Sequence, residues 1–398
     1  MPATFTRVFH RLDESVRESL FVFLLSRGLV LIIFIVIGQI KFGAPEIGLG
    51  PAGPITARNA VVSLSHAPIG QTLRETIAQG DVNHYVELSR TGYDARPFGT
   101  DAHTSSLYAF CPVIPALLWL ISRTGLDVLL TGSLISNLFF FGALVLFHKL
   151  VIALGYDTST AARALFYVAF FPASYFFSLP MTESTFLLLT VASFYVATKG
   201  RWPASGGLGA IASATRLNGI LIGPALAVLW WERERRRSFR QLASVALTSL
   251  GLLLYMLLSW RWSGDALAAT KAGADRHGGF FLTPLWEYLR APGTIALPWN
   301  FLPLNFLAAL LAFAAIYFLI RQRQKALAVY VAMMVLVPLS TSTLVSLARY
   351  MSVCFPIFIA FGAVGSSART DQIIRVVFIS LFVLMTAAFA ARFTMALT

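Results

Sequence analysis

Charge is scarce in this chain. Lys, Arg, Asp and Glu make up 12% of its 398 residues, about half of the ~25% usual in soluble globular proteins. With 57% of residues hydrophobic and a mean hydropathy of +0.73, the sequence argues against a soluble enzyme with a large core. It predicts a polytopic all-α membrane protein. Cysteine is scarcer still, limited to Cys111 and Cys354. Both sit among apolar neighbours, so neither a disulfide framework nor a metal-type spacing is implied. There is no Gly-rich nucleotide loop, no paired-Asp metal motif and no metal-type His cluster. Those absences disfavour nucleotide-sugar chemistry and imply neither cofactor nor metal. Internal repeats and low-complexity segments are also missing.

Phenylalanine and tryptophan, at 33 and 8 residues, suit lipid-facing and interfacial positions. A net charge of +13 invites comparison with nucleic-acid binders, but the basic residues cluster in short connectors between apolar runs. Under the positive-inside rule those connectors are cytoplasmic anchors, so nucleic acid is not an expected partner. Arg7, Arg11 and Arg17 precede the first run, Leu20 to Ile40, which is too long for a cleaved signal and reads as a retained helix.

The apolar pattern predicts about ten or eleven transmembrane or re-entrant helices in one domain spanning residues 1–398. After the first span come Val128–Leu150, Ala164–Ser178, Ser184–Thr198, Leu242–Trp260, Pro303–Ile320, Val329–Val345, Tyr350–Phe361 and Ile374–Ala391. Val113–Ser122 is short and opens on Pro112 and Pro115, so it reads as partly re-entrant. Gly206–Ala214 and Gly219–Trp230 are also short of the ~20 residues a span needs. They read as a pair whose turn, Arg216-Leu217-Asn218-Gly219, dips into a cavity. A large first extracytoplasmic loop occupies residues 42–106, with amphipathic helices expected over Ile55–Ser65 and Thr72–Ala78. A second outer loop occupies 261–302.

Charged groups at membrane depth are costly and are functional candidates for that reason. Asp81, within Asp81-Val82-Asn83-His84-Tyr85-Val86-Glu87, reads either as a helix cap after Gly80 or as a catalytic base. His84 follows three residues on and either orients Asp81, touches phosphate or lies at the interface. Glu87 and Arg90 read as a solvated pair. Glu183, after Thr182 at a helix start, is a cap-region carboxylate or a substrate contact. Arg216 needs an anion, either Glu183 or a substrate phosphate. Arg349-Tyr350 suits an interfacial anchor or a site. Arg276-His277-Gly278-Gly279 is a weaker candidate.

One outer carboxylate, several outer arginines and no metal suit a specific reaction. A hydroxyl attacks the anomeric carbon of a lipid-phosphate-sugar, a carboxylate takes its proton, and guanidinium groups hold the leaving phosphate.

At these residues the sequence resembles the PIG-V type mannosyltransferases, within the GT-C group of polytopic glycosyltransferases. The ordered stretches are Gly80-Asp81 through Gly92-Tyr93, Tyr108-Ala109-Phe110-Cys111-Pro112 with Pro115, Phe170-Phe171-Pro172-Ala173-Ser174 through Thr182-Glu183-Ser184, Thr215-Arg216-Leu217-Asn218-Gly219, and Ala348-Arg349-Tyr350 with Phe355-Pro356. Gly80 stands where the family usually has Trp, and Cys111 where it has Phe. The missing Trp puts a sugar-stacking contact in doubt. The resemblance implies inverting transfer of a sugar, mannose first, from a polyprenyl-phosphate carrier. It implies Asp81 as the base, and Glu183, Arg216, Arg349 and Tyr350 in the active site; His84 and Asn218 are further substrate-binding candidates.

No Asn-x-Ser/Thr sequon lies on an outer loop, and the connectors are short and Arg-rich. The expected setting is a bacterial inner membrane, with the site facing the periplasm or exterior. The expected partners are a lipid-linked donor, membrane lipids, and a glycolipid, glycan or protein acceptor. A transporter or flippase of lipid-linked sugars is the alternative, although such folds usually show paired repeats and midplane charges.

Overall fold

The computed structural model describes residues 13–42, 62–234, 238–272, 280–294, 296–297, 300–341, 343–393 and 396. Helix makes up nearly all of the regular structure; two short antiparallel ladders, Ile40–Phe42 with Val62–Leu64 and Ala296–Leu297 with Asn300–Phe301, are the only strands among these residues. The chain is an all-α polytopic membrane protein. Among the described residues, five helices are long and apolar enough to cross a bilayer alone: Glu14–Gly38, Val128–Ala153, Phe239–Ser263, Leu302–Arg321 and Ala368–Ala390. A sixth arises if Ala102–Ala109 and Val113–Ser122, bent by 102° at the Cys111-Pro112 break, count as one. The remaining apolar segments expected to cross or re-enter are present as shorter helices.

Local chemistry starts these helices where the apolar runs alone would not. Asp13 accepts the Ser15 N–H at 3.1 Å, Asp127 the Leu130 N–H at 2.8 Å, and Asp157 the Thr160 N–H at 2.8 Å. Ser238 and Gln241 form a reciprocal cap at the next helix. Each such cap contributes about 1 kcal/mol. Exposed leucines and isoleucines along the spans, among them Leu24, Ile32, Leu253 and Leu257, make the apolar belt that lipid covers.

The connectors fall into two groups at opposite ends of the bundle. At one end Lys149 Nζ pairs with Asp13 at 3.1 Å, Arg233 donates to the Ala153 carbonyl, Tyr156 donates to Gln322, and Trp202 donates to Glu234. At the other, Arg74 pairs with Asp127 at 2.6 Å, Arg392 with Glu75 at 3.1 Å, and Gln79 donates to the Phe389 carbonyl. The second end also carries Asp81, Glu183, Arg216 and Arg349. Chain segments remote in sequence therefore sort as the basic connectors predict.

Small residues bring helix backbones together along Trp202–Thr215. A Cβ on Gly251 would lie 1.9 Å from the Ala210 carbonyl oxygen, and one on Gly206 1.8 Å from that of Ser244. Helix Trp202–Thr215 thus touches both Phe239–Ala246 and Leu250–Ser263 through main chain, the packing that membrane helices use where lipid offers no hydrophobic drive.

Several local expectations need correction. Residues 62–64 of the expected helix Ile55–Ser65 form a strand instead, because backbone pairing with Ile40–Phe42 satisfies their polar groups; residues 55–61 lie outside the described residues. The expected helix Ala164–Ser178 is broken: Thr158–Ala169 stops ahead of Pro172, and Ser174–Ser178 is a separate 3-10 turn. The expected Glu87–Arg90 pair is replaced by one between Glu87 and His103 at 2.8 Å. Cys111 and Cys354 are free thiols. Arg7, Arg11, Arg276 and His277 lie outside the described residues.

Candidate active site

Four charged side chains from four separate stretches of the chain meet at one point. Asp81 is the first residue of helix Asp81–Thr91. Gly80 precedes it with φ +53°, a left-handed conformation that glycine adopts without cost. Asp81 does not cap its own helix, since Gly80 holds the cap position. Its carboxylate instead reaches Arg349, whose Nη1 lies 2.5 Å from Oδ2. Helix Thr182–Thr198 begins with Met181 at its cap, which leaves Glu183 in the first turn. Glu183 Oε1 accepts from Arg349 Nε at 2.6 Å and from Arg216 Nη1 at 3.0 Å.

Burial grades across this cluster. Glu183 is fully enclosed, the Arg349 side chain is 6% exposed, that of Arg216 12%, and that of Asp81 30%. An isolated charge would be prohibitive at such depth; two carboxylates interleaved with two guanidinium groups offset one another. Aromatic faces complete the arginine surroundings. Phe176 lies 4.8 Å from the Arg349 guanidinium carbon, and Tyr350 4.8 Å from that of Arg216.

Arg216 owes its position to a helix break. Trp202–Thr215 ends, Arg216 itself is extended, and Leu217–Leu221 forms a 3-10 turn before Ile222–Arg233. Gly219 permits the turn, because a Cβ there would lie 2.5 Å from the Ser213 Cα. Arg349 sits on the short helix Leu347–Ser352, entered through Ser346 at φ +60°. That value is uncommon for a residue with a side chain and marks local strain beside the site.

The cluster forms the polar floor of a cavity of about 560 Å³, within the range of small-molecule sites. Asp81, Thr182, Arg216, Asn218, Arg349 and Tyr350 supply its polar lining. Leu252, Met256, Leu267, Val337 and Pro338 supply an apolar wall. Part of that wall continues to the protein surface, since Ile220 is 36% and Val337 39% exposed. The cavity thus joins an ionic floor to an apolar flank.

Of the residues singled out by sequence, Asp81, Arg216, Asn218, Arg349 and Tyr350 line the cavity. Glu183 stands behind the arginines without lining it, where it positions them. His84 does not line the cavity: its ring packs 5.0 Å from Phe110, which does, and its Nδ1 lies 3.9 Å from Glu87. Phe176 and Arg27 escaped sequence reasoning. An arginine inside the long apolar run of the first span is the signal that points to Arg27.

Arg349 fixes one Asp81 oxygen and leaves Oδ1 without a partner among the described residues. Arg216 spends Nη1 on Glu183, and its other donors have no partner among the described residues. The arrangement offers a proton acceptor and a guanidinium fork on the same cavity wall. No family model and no curated protein matches the chain.

Proposed function

We propose that this protein is an inverting glycosyltransferase that moves a sugar, with mannose the first choice, from a polyprenyl-phosphate carrier to an acceptor hydroxyl. The supporting observation is the juxtaposition of Asp81, Arg216 and Arg349 in a cavity with an apolar flank. The carrier phosphate lies against Arg216 and Arg349, and the prenyl chain follows the wall of Leu252, Met256 and Val337. The acceptor oxygen attacks the anomeric carbon on the face opposite the phosphate. As that bond forms, the bond from the anomeric carbon to the phosphate oxygen breaks. The hydroxyl proton passes to Asp81 Oδ1, and the phosphomonoester leaves with the bonding electron pair. Positive charge on the sugar ring and growing negative charge on phosphate are matched by the carboxylate and the guanidinium groups.

The ordered motifs that resemble the PIG-V type GT-C enzymes support this reading. Segregation of Lys149, Arg233 and the Gln322 connector to the end opposite the cavity supports a cavity open to the periplasm or exterior of a bacterial inner membrane. The test is transfer by purified protein from radiolabelled polyprenyl-phosphate-mannose to a panel of glycolipid, glycan and peptide acceptors. Labelled product is expected. Labelled carrier that crosses proteoliposome membranes without product would favour the transporter alternative.

A further inference from the structure

Arg27 lies midway along the first span, buried to 7% exposure, with none of the four site residues in contact with it. All its recorded partners are neutral. Nη1 donates to the Ser174 carbonyl at 2.7 Å and to Ser178 Oγ at 3.3 Å; Nη2 donates to Ser174 Oγ at 2.8 Å and to the Ala169 carbonyl at 3.0 Å; Nε donates to Ser26 Oγ at 3.3 Å. Its guanidinium carbon lies 4.8 Å from the Phe140 ring. A cation held this deep in an apolar span needs a role that repays its desolvation.

The acceptors show what that role is. Ala169 closes one helix, and Ser174–Ser178 is the 3-10 turn that replaces its continuation. Main-chain carbonyls at such a break lose their helical donors, and the Ala169 carbonyl accepts instead from Ser174 Oγ at 2.5 Å and from Arg27. One rigid fork ties both sides of the break together. Phe176, in the middle of that turn, is the ring under Arg349. Phe177, next to it, accepts from Ser184 Oγ at 2.7 Å, which fixes the start of the Glu183 helix.

We infer that Arg27 is a positioning residue for the proposed transfer reaction: it locks the 3-10 turn Ser174–Ser178, whose Phe176 seats Arg349 against Asp81. The inference rests on the transferase reading for its kinetic consequences, but its structural content stands alone. Asp81 faces Arg349 directly, with Tyr85 on its own helix and Glu183 and Arg216 beyond. If Arg349 drifts, Asp81 loses the cation that holds its carboxylate in place.

The test compares wild type with Arg27→Met and Arg27→Lys in the full chain, read by kcat, by donor KM and by hydrogen exchange. Arg27→Met is expected to lower kcat about tenfold or more, by a larger factor than it raises donor KM. Arg27→Lys, with fewer donors in a looser geometry, is expected to fall between the two. Exchange protection in Arg27→Met is expected to drop at residues 347–352 as well as 174–178. A folded Arg27→Met with wild-type kcat, or with protection lost at 174–178 alone, would overturn the inference. If Arg27→Met does not fold, Phe176→Leu replaces it: the same fall in kcat with lost protection at 347–352 supports the chain of contacts, and unchanged kcat and protection refute it. Absence of transfer by wild type would refute the transferase reading, while the exchange measurement would still decide the positioning role.

Discussion

Arg349 Nη1 lies 2.5 Å from Asp81 Oδ2, although 268 residues separate the two along the chain. The same guanidinium donates Nε to Glu183 at 2.6 Å. Arg349 is therefore the hub through which an enclosed carboxylate and a cavity-facing one share a cation. The two carboxylates differ in what they can do. Glu183 can neither meet substrate nor shed its partners, whereas Asp81 keeps an oxygen for a proton.

Glu183→Ala should be among the most damaging single changes. It leaves Arg216 buried without a carboxylate and Arg349 with Asp81 alone, and breaking such a buried pair costs about 3–5 kcal/mol. Thermal unfolding in detergent should show a clear drop in melting temperature for Glu183→Ala and a much smaller one for Asp81→Asn, whose side chain is 30% exposed.

Gly251→Ala tests the main-chain packing that frames the cavity. Its Cβ would lie 1.9 Å from the Ala210 carbonyl oxygen, so the two helices must separate. A loss of about 1–3 kcal/mol is expected, the usual cost of overpacking. Gly207→Ala is the control, since nothing lies within 4 Å of its added Cβ. Comparable melting temperatures for the two variants would contradict the packing described.

Arg216→Ala should act on the lipid-linked donor. Removal of a charge-assisted contact to phosphate costs about 1.5–3 kcal/mol, or roughly 10–100-fold in affinity. The donor KM should rise accordingly, with a smaller change in acceptor KM.

Asp94 and Asp101 set the acid limit of the segment that joins the Asp81 helix to the bent pair. The Arg96 backbone N–H holds the Asp94 carboxyl below the usual carboxylate range, and the Thr104 backbone N–H does the same for Asp101. A depressed folded-state value means stability that is present above the unfolded value, near pH 4, and lost as pH falls through the folded one. Limited proteolysis of residues 94–106 should be unchanged from pH 7 to about pH 5 and should accelerate only below about pH 4.

Much of the molecule is legible in the sequence. Long apolar runs mark Val128–Ala153 and Leu302–Arg321 to within a few residues, because a bilayer imposes length on composition. Arg216 is legible because an arginine between two short apolar runs has no cheap resting place. What is not legible is pairing across the fold: nothing local distinguishes Glu183 as a clamp on two arginines from Glu183 as a substrate contact. Whether His84 lines the cavity is not legible, because helical spacing shows neighbourhood along a helix but not how far a side chain reaches. The left-handed Ser346 is settled by tertiary packing, which overrides the local preference of a residue with a side chain. Arg27 is hidden for a related reason, since one cation averaged over a long apolar run barely dents its hydropathy.

The most direct measurement is single-turnover transfer from polyprenyl-phosphate-mannose by wild type and Asp81→Asn, with matched melting temperatures. Asn keeps the shape at position 81 but cannot accept the proton, so transfer should fall about 100-fold or more while the donor still binds. Transfer by folded Asp81→Asn at the wild-type rate would contradict the role given to this carboxylate.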